Sequence, residues 1–440
     1  MAHTFFGGVF PATRKESTRR KPLAQLSQPP REVAIPLLMC SDGPSVPVVR
    51  PGDPVSVGQV IARRGDCGVA IHASVSGRVT AIQDRPHPWG GSSPAILIEN
   101  DGQNTPCPQR PQPVEAQNVE LPLLLERVQA AGIVGMRGEA APTWEKLARA
   151  AGRVDTLIVN VAECEPYVTA DYRLLLERSE KILLGASVVA RCLGAQRAVI
   201  VTEGDKLRAV ESLERRLLRR GHSVQLCTVR TRYPLGAEKQ IIQTVTGRDV
   251  PPGGSALDAS CVVLNVATLY AVQDTLFRGR PLTHRAVTVT GGAVTRPRNL
   301  WVPIGTPLRI LLESAGGLRE EADLMLTVGP MMGVALEELD APVIKDTNSL
   351  ICLTAGERKP GGSGTTCIRC GKCVSCCPMH LAPVFVRQAL EAGDRERLAK
   401  YRVEDCISCG CCSFICPAQL PLVETMIRAR AALEEGGDRL

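Results

Sequence analysis

Between residues 30 and 82 the apolar positions come in short runs broken by Gly, Pro and Asp, the texture of strands joined by tight turns. Beyond residue 113 the pattern changes to apolar runs alternating with longer amphipathic stretches. Asp155-Thr-Leu-Ile-Val-Asn-Val161 predicts a strand and residues 170–193 a helix. Arg197-Ala-Val-Ile-Val-Thr202 predicts a second strand, with a helix over 206–219. Ser223-Val-Gln-Leu-Cys-Thr-Val229 predicts a third, followed by a helix over 236–245. Strands alternating with helices predict a parallel sheet covered on both faces, with ligands outside the carboxyl ends of its strands. From Arg285 to about Gly317 the period returns to two: Ala286-Val-Thr-Val-Thr290, a Gly291-Gly292 turn and Leu300-Trp-Val-Pro-Ile304 precede a helix over 308–315, a small β-rich module.

The two hairpin-like halves near the N-terminus, Val46–Ile61 and His72–Val79, resemble the barrel-sandwich hybrid of biotinyl and lipoyl carriers. Those carriers present a modified Lys, and here no Lys occurs between Lys21 and Lys146, so the module reads as a scaffold. Residues 102–113, rich in Gln and Pro, read as a linker, and 356–366, with Gly361-Gly362-Ser363-Gly364, as a flexible lead into the last segment.

The 440 residues have room for two to four domains. Aromatics make up only 3%, so the cores rest on Leu, Val, Ile and Ala. No apolar run approaches the ~18–20 residues needed to cross a bilayer. The N-terminus lacks a basic region followed by a long apolar one, so a cytoplasmic protein is expected. The net charge of +7 is not gathered into a basic block, and nucleic-acid binding is not expected.

Cysteine changes the picture most. Ten of the eighteen follow residue 366, and eight of those repeat one pattern: Cys367-x2-Cys370-x2-Cys373-x3-Cys377-Pro378, then Cys406-x2-Cys409-x2-Cys412-x3-Cys416-Pro417. Three thiolates at i, i+3 and i+6 can wrap one face of an iron–sulfur cubane while backbone amides donate to sulfur. The fourth, before Pro, reaches the other cluster of a two-cluster fold. This spacing assigns Cys367, Cys370, Cys373 and Cys416 to one [4Fe–4S] cluster and Cys406, Cys409, Cys412 and Cys377 to a second. The alternative, two four-thiolate zinc sites, is usually built from separated C-x2–4-C pairs. Cys376, Cys411 and His380 fall outside the register.

One-electron clusters exchange with a two-electron nicotinamide through a flavin. The stretch Gly132-Ile-Val-Gly-Met-Arg-Gly-Glu-Ala-Ala-Pro-Thr-Trp-Glu-Lys146 can serve as a phosphate loop or equally as a plain turn.

Along nearly its whole length the chain resembles the C subunit of the Rnf (Rsx) electron transport complex. The resemblance is carried by Phe6-Gly-Gly-Val-Phe-Pro11, His72-Ala-Ser-Val-Ser-Gly77, Val159-Asn-Val-Ala-Glu-Cys-Glu-Pro-Tyr-Val-Thr-Ala-Asp171 and Tyr233-Pro-Leu-Gly-Ala-Glu-Lys-Gln240. Val287-Thr-Val-Thr-Gly291, Ile304-Gly-Thr-Pro307, Gly329-Pro-Met-Met-Gly333 and the two cysteine motifs complete it. It implies a multidomain α/β chain in four parts. These are a barrel-sandwich-hybrid β module within 1–100, and a flavin- and NAD-binding α/β domain like that of respiratory complex I over 118–275. A β-grasp (SLBB-type) module over 283–330 and a ferredoxin-type α-helical domain with two [4Fe–4S] clusters over 356–425 follow.

The resemblance further implies an FMN and NAD(H) pocket made by Gly135, Gly138, Lys146, Asn160, Glu163, Glu165, Gly236, Glu238 and Lys239. The family loop Gly-x-Gly-Gly-Ala-x-Phe-Pro-Thr reads Gly135-Met-Arg-Gly-Glu-Ala-Ala-Pro-Thr143 here. Arg137 stands for a glycine, Glu139 adds a negative charge and Ala141 replaces an aromatic. The implied activity is that of a translocase component of the ferredoxin:NAD+ oxidoreductase type, peripheral on the cytoplasmic membrane face. Its implied partners are integral-membrane Rnf subunits and ferredoxin or another redox protein. Two rival readings are a soluble relay feeding a dedicated reductase, with a degenerate NADH site, and a metal-bearing regulatory protein without redox activity.

Overall fold

Short alternating runs build strands, and the N-terminal β-rich stretch folds into two small antiparallel sheets in the computed structural model. The structure describes residues 4–65, 68–136, 140–204, 210–215, 224–357 and 366–434. Strand β1 (Leu23–Gln25) leaves for a distant sheet. Then β2 (Glu32–Pro36), β3 (Val46–Pro47), β4 (Pro54–Val55), β5 (Val60–Arg63), β6 (Ile71–His72), β7 (Gly77–Pro86) and β8 (Ser92–Asn100) form sheets ordered β2-β8-β7-β4 and β3-β5-β6. Val33, Ile35, Val79, Ile96 and Ile98 point inward and join a core continuous with the next domain. The predicted linker is strapped down: the Cys107 N–H donates to the Val57 carbonyl at 2.9 Å and Thr105 N–H to Ser76 Oγ at 3.0 Å.

Helices α1 (Leu121–Ala130) and α2 (Thr143–Ala150) lead into β9 (Thr156–Asn160), α3 (Ala170–Leu193) and β10 (Arg197–Glu203). After β11 (Val224–Val229) come α4 (Glu238–Thr246), β12 (Cys261–Asn265) and α5 (Val266–Arg278). The expected parallel sheet is present, in the order β11-β10-β9-β12. Every residue of β9 and β12 is buried, as strands covered on both faces must be. The predicted helix over 206–219 lies partly outside the described residues, and 210–215 are helical. The pair β12–α5 is an addition to the sequence reading. Asn265 ends the strand and caps the helix, its side chain accepting from Ala267 N–H at 2.8 Å.

Next come β13 (His284–Thr290), β14 (Arg298–Pro303), α6 (Leu308–Ser314), β15 (Leu324–Thr327), β16 (Val334–Ala335) and β17 (Ser349–Leu353). With β1 they make a six-stranded sheet ordered β1-β14-β13-β17-β15-β16. Of the predicted lead over 356–366, residues 358–365 lie outside the described residues. The chain ends in helices α7 (Lys372–Ser375), α8 (Pro383–Glu391), α9 (Arg395–Lys400), α10 (Cys411–Ile415) and α11 (Leu422–Glu434), around a core of Val386, Ala389, Leu398, Val403, Met426 and Ala429.

Candidate functional site

The two cysteine motifs have the same backbone as well as the same spacing. Each position of the second stands 39 residues after its counterpart, as Cys406 does after Cys367. Arg369 and Ser408 both turn left-handed (φ 57° and 51°), as do Gly371 and Gly410 (72° and 75°) and His380 and Gln419 (56° and 53°). These turns swing amides toward sulfur: Arg369 N–H donates to Cys367 Sγ, Ser408 N–H to Cys406 Sγ and Leu381 N–H to Cys377 Sγ, each at 3.4 Å. Donors aimed at sulfur favour a thiolate and set the potential of a cluster it holds.

The structure sorts the eight sulfurs into two places. Cys367, Cys370, Cys373 and Cys416 line one cavity of about 820 Å³. Cys377 keeps other company: burial, then the neighbouring Cys409 and Cys406, push its thiol up to about 11 against the pull of the Met379 and Leu381 amides. Cys412 is likewise raised by burial and by Cys409 and Cys406. Among the described residues no three His, Cys, Asp or Glu converge on one point as ligands of a single ion do. A cubane takes one thiolate at each of its four irons and asks for a wider ring of sulfurs, which this arrangement fits. Cys376 and Cys411 are buried against Val9, Tyr233 and Cys164. His380 stacks on Phe6 with ring centroids 4.4 Å apart.

The second set sits against the α/β domain. Tyr233, 2% exposed, donates its hydroxyl to the Cys409 carbonyl at 2.7 Å. Cys164, on the loop after β9, belongs to the same buried cluster, and its sulfur accepts from Gly236 N–H at 3.4 Å. Glu165 binds the segment Gly329-Pro-Met-Met-Gly333 by accepting from Met331 N–H and Met332 N–H, both at 3.1 Å. The Met331 carbonyl in turn stands 2.8 Å from where a Cβ on Gly410 would lie. The N-terminal Phe6-Gly-Gly-Val-Phe motif threads the same junction: Gly8 N–H donates to the Cys376 carbonyl at 2.7 Å, and Val9 pairs with Tyr233. A Cβ on Gly7 would come within 2.8 Å of Cys376 and Cys377 backbone atoms. Sequence reasoning used that motif for its resemblance and gave it no task.

The residues expected around a flavin gather at the carboxyl ends of the sheet, largely engaged with one another. Asn160 donates to the Gly236 carbonyl at 2.9 Å and accepts from Ala162 N–H at 2.9 Å. Glu163 is fully buried and accepts from Asp171 N–H at 2.8 Å and Tyr172 N–H at 3.4 Å, closing the first turn of α3. Lys146 is paired with Glu238, and Lys239 donates to the Pro251 carbonyl at 3.2 Å. Gly135 N–H donates to the Ala141 carbonyl at 2.8 Å, closing the loop; Arg137, Gly138 and Glu139 lie outside the described residues. Thr143, absent from the sequence-based set, is 2% exposed, and its hydroxyl has no partner. It opens α2, whose first turn has no side-chain cap. An orphaned hydroxyl on an uncapped helix start beside Lys146 fits a phosphate-bearing cofactor.

Comparison with known proteins identifies the parts. Residues 3–103 match the RnfC barrel sandwich hybrid domain, 128–274 the Nuo51 FMN-binding domain, 286–335 the SLBB domain and 360–417 the 4Fe-4S dicluster domain. The chain is 40% identical to the C subunit of the proton-translocating ferredoxin:NAD(+) oxidoreductase complex of Clostridium ljungdahlii, over 87% of this chain and 83% of that one. The chain belongs to the RnfC family of ion-translocating oxidoreductases. It is also 37% identical to the Na(+)-translocating counterpart of Acetobacterium woodii, over 88% and 87% of the two chains. The RnfC-type relative from the ion-translocating oxidoreductase complex of Rhodobacter capsulatus is 40% identical over 98% and 84%. In fold the chain is similar to an NAD+-reducing [NiFe]-hydrogenase, with a TM-score of 0.53 and 20% identity over 73% of this chain and 63% of that one. This RnfC-family chain is thus an electron-transfer protein with an FMN-type domain and a [4Fe–4S] dicluster domain. Among its described residues no helix is long and apolar enough to cross a membrane.

Proposed function

We propose that this chain passes electrons between NAD(H), FMN at the sheet's carboxyl ends and two [4Fe–4S] clusters, as a peripheral subunit on the cytoplasmic face of an Rnf-type complex. Bound flavin supplies the exchange between two-electron nicotinamide and one-electron clusters. Cys406, Cys409, Cys412 and Cys377 hold the cluster beside the flavin domain, and Cys367, Cys370, Cys373 and Cys416 hold the other. The observation that carries this reading is the junction where Tyr233 grips the Cys409 carbonyl and Cys164 packs against it. That buried contact brings the loops after β9 and β11 against one cysteine set.

The protein's own contribution is orientation and electrostatics. Amides at Arg369, Ser408 and Leu381 hold the thiolates. Thr143, the start of α2 and Lys146 hold the flavin phosphate, with Gly135 leaving room for its close approach. Asn160, Glu163, Glu165, Gly236, Glu238 and Lys239 keep the strand-end loops in place around it. The Cys370 side is the exit. Cys370 is exposed, and Ile368 and Phe385 beside it are exposed apolar groups, a surface suited to an integral-membrane partner or a ferredoxin-like protein.

Anaerobically isolated protein should contain about eight iron and about eight sulfide per chain, the content of two cubanes. NADH should bleach the cluster absorbance once FMN is supplied. Clusters that stay oxidised under NADH with FMN bound would leave a relay fed by another donor.

A further inference from the structure

A second cavity, of about 690 Å³, opens where the N-terminal module, the α/β domain and the six-stranded sheet meet, on the flank of α3 and α5. That size is typical of small-molecule sites. Its lining is strongly cationic. Arg178 and Lys181 come from α3, Arg278 and Arg280 from the end of α5 and the turn beyond, Arg110 from the linker and Arg285 from β13. The one carboxylate in the lining, Asp274, is shared between Lys181 at 3.9 Å and Arg278 at 3.6 Å. His284 adds no charge, since burial drops its pKa to about 4. The crowding is felt by Lys181, whose pKa is lowered by burial and by Arg278, Arg178 and Arg280.

Arg285 supplies an independent observation. It is 2% exposed; its Nε donates to the Thr347 carbonyl at 3.3 Å and Nη2 to the Met136 carbonyl at 3.5 Å, while Nη1 has no hydrogen-bond partner. Asp171 and Asp346 lie close enough to favour its charge but leave that donor unmet. Arg285 thus lines the cavity as a buried guanidinium whose charge is only partly compensated, next to five further cations that only Asp274 offsets within the lining. Tyr270 and Trp301, edge to face with centroids 5.8 Å apart, give the cavity an aromatic wall.

We propose that this cavity binds a small molecule carrying a pyrophosphate group, separate from the flavin site at the strand ends. Six cations arriving from four segments exceed what a single phosphate can neutralise, and spaced guanidinium groups match the oxygens of a diphosphate. The diphosphate arrives either free or on a nucleotide, and the aromatic wall distinguishes the two sources.

The test is calorimetric titration of the full-length holoprotein with inorganic pyrophosphate, ADP and inorganic phosphate, each at matched ionic strength. Saturable binding of pyrophosphate, with phosphate weaker, is expected. Tighter binding of ADP than of pyrophosphate identifies a nucleotide as the source, and equal binding identifies the free anion. Arg178→Glu with Arg280→Glu, both exposed positions, should raise the dissociation constant by about tenfold or more. Lys181→Met should give a smaller rise, and Arg149→Glu, an exposed charge reversal on α2, none. Cluster absorbance and thermal unfolding check that each variant is folded. No saturable pyrophosphate binding, or binding weakened equally by Arg149→Glu, overturns the proposal. The readout is binding alone, so either result leaves the electron-transfer reading intact.

Discussion

The cysteine domain and the strand ends of the α/β domain are the two proposed cofactor sites, yet their residues are arranged in opposite ways. In the cysteine domain the groups in register are not tied to one another by hydrogen bonds or ion pairs: their sulfurs collect in two places, pack among apolar side chains, and at Cys367, Cys377 and Cys406 receive amides. At the strand ends Asn160, Glu163, Glu165, Lys146 and Glu238 are bound to one another or to nearby backbone. A cluster needs ligands, so its residues form bonds only it can complete. A flavin needs a shaped and charged surface, so the residues proposed to surround it mostly hold loops still. Removal of a ligand should therefore delete a cofactor, whereas removal of a strand-end polar group should soften the fold first.

The largest effect belongs to the ligands. Cys409→Ser should cut iron from about eight to about four per chain, one cubane lost and one kept. Cys376→Ser, in the same neighbourhood and outside the register, should leave iron unchanged. Equal iron loss from both, measured by metal analysis of anaerobic protein, would break the contrast between ligand and neighbour.

Next in size is the thread that joins the two regions. Gly7 has φ +71° and touches the Cys376 and Cys377 backbone so closely that a methyl group does not fit. Gly7→Ala should cost about 2–3 kcal/mol of stability, from left-handed strain plus displaced backbone. It should also slow NADH-driven cluster reduction by shifting the cysteine domain from Tyr233. Unfolding midpoints and reduction kinetics that match the parent would remove this motif from the junction.

Much of this was readable from sequence, for reasons that differ by region. The helix Ala170–Leu193 shows its ends in local chemistry, closing on Gly194 in a left-handed turn. The cysteine register is local too, because one cluster's first three ligands lie within seven residues. The six-stranded sheet was only half legible. Its edge strand β1 and its inner strand β17 join β14 and β13 from far along the chain, and such pairings leave no mark on local periodicity. Strand β12 runs into α5 without a Gly or Pro, and Asn265 before an apolar run was the available sign. The tasks of Gly7 and Thr143 depend on neighbours brought close only by folding.

Glu163 sharpens the comparison at intermediate size. As the acceptor for the first amides of α3, it makes Glu163→Ala cost about 1–2 kcal/mol, the usual scale for losing a helix cap. Flavin affinity should fall only as far as the fold loosens, so a stabilising osmolyte should restore both. A large drop in FMN binding with an unchanged unfolding midpoint would instead make Glu163 a direct flavin contact.

The smallest effect separates the N-terminal scaffold from the cysteine domain by pH. His72 is buried, one ring nitrogen has no partner, and its pKa falls to about 3 through burial and the charge of Lys345. In the unfolded chain the same ring titrates near its ordinary value of about 6.5. Between those two pKa values the unfolded state binds the extra proton, so stability is lost as pH falls through that window. His72→Gln removes this proton-binding difference, and it should reduce the stability lost between pH 7 and pH 5 by on the order of 1 kcal/mol. The measurement is chemical unfolding followed by tryptophan emission, since Trp89 sits in the same module. A variant whose acid sensitivity equals the parent's would place the labile proton elsewhere, with His284 the next candidate, its pKa lowered to about 4 by burial and Arg280.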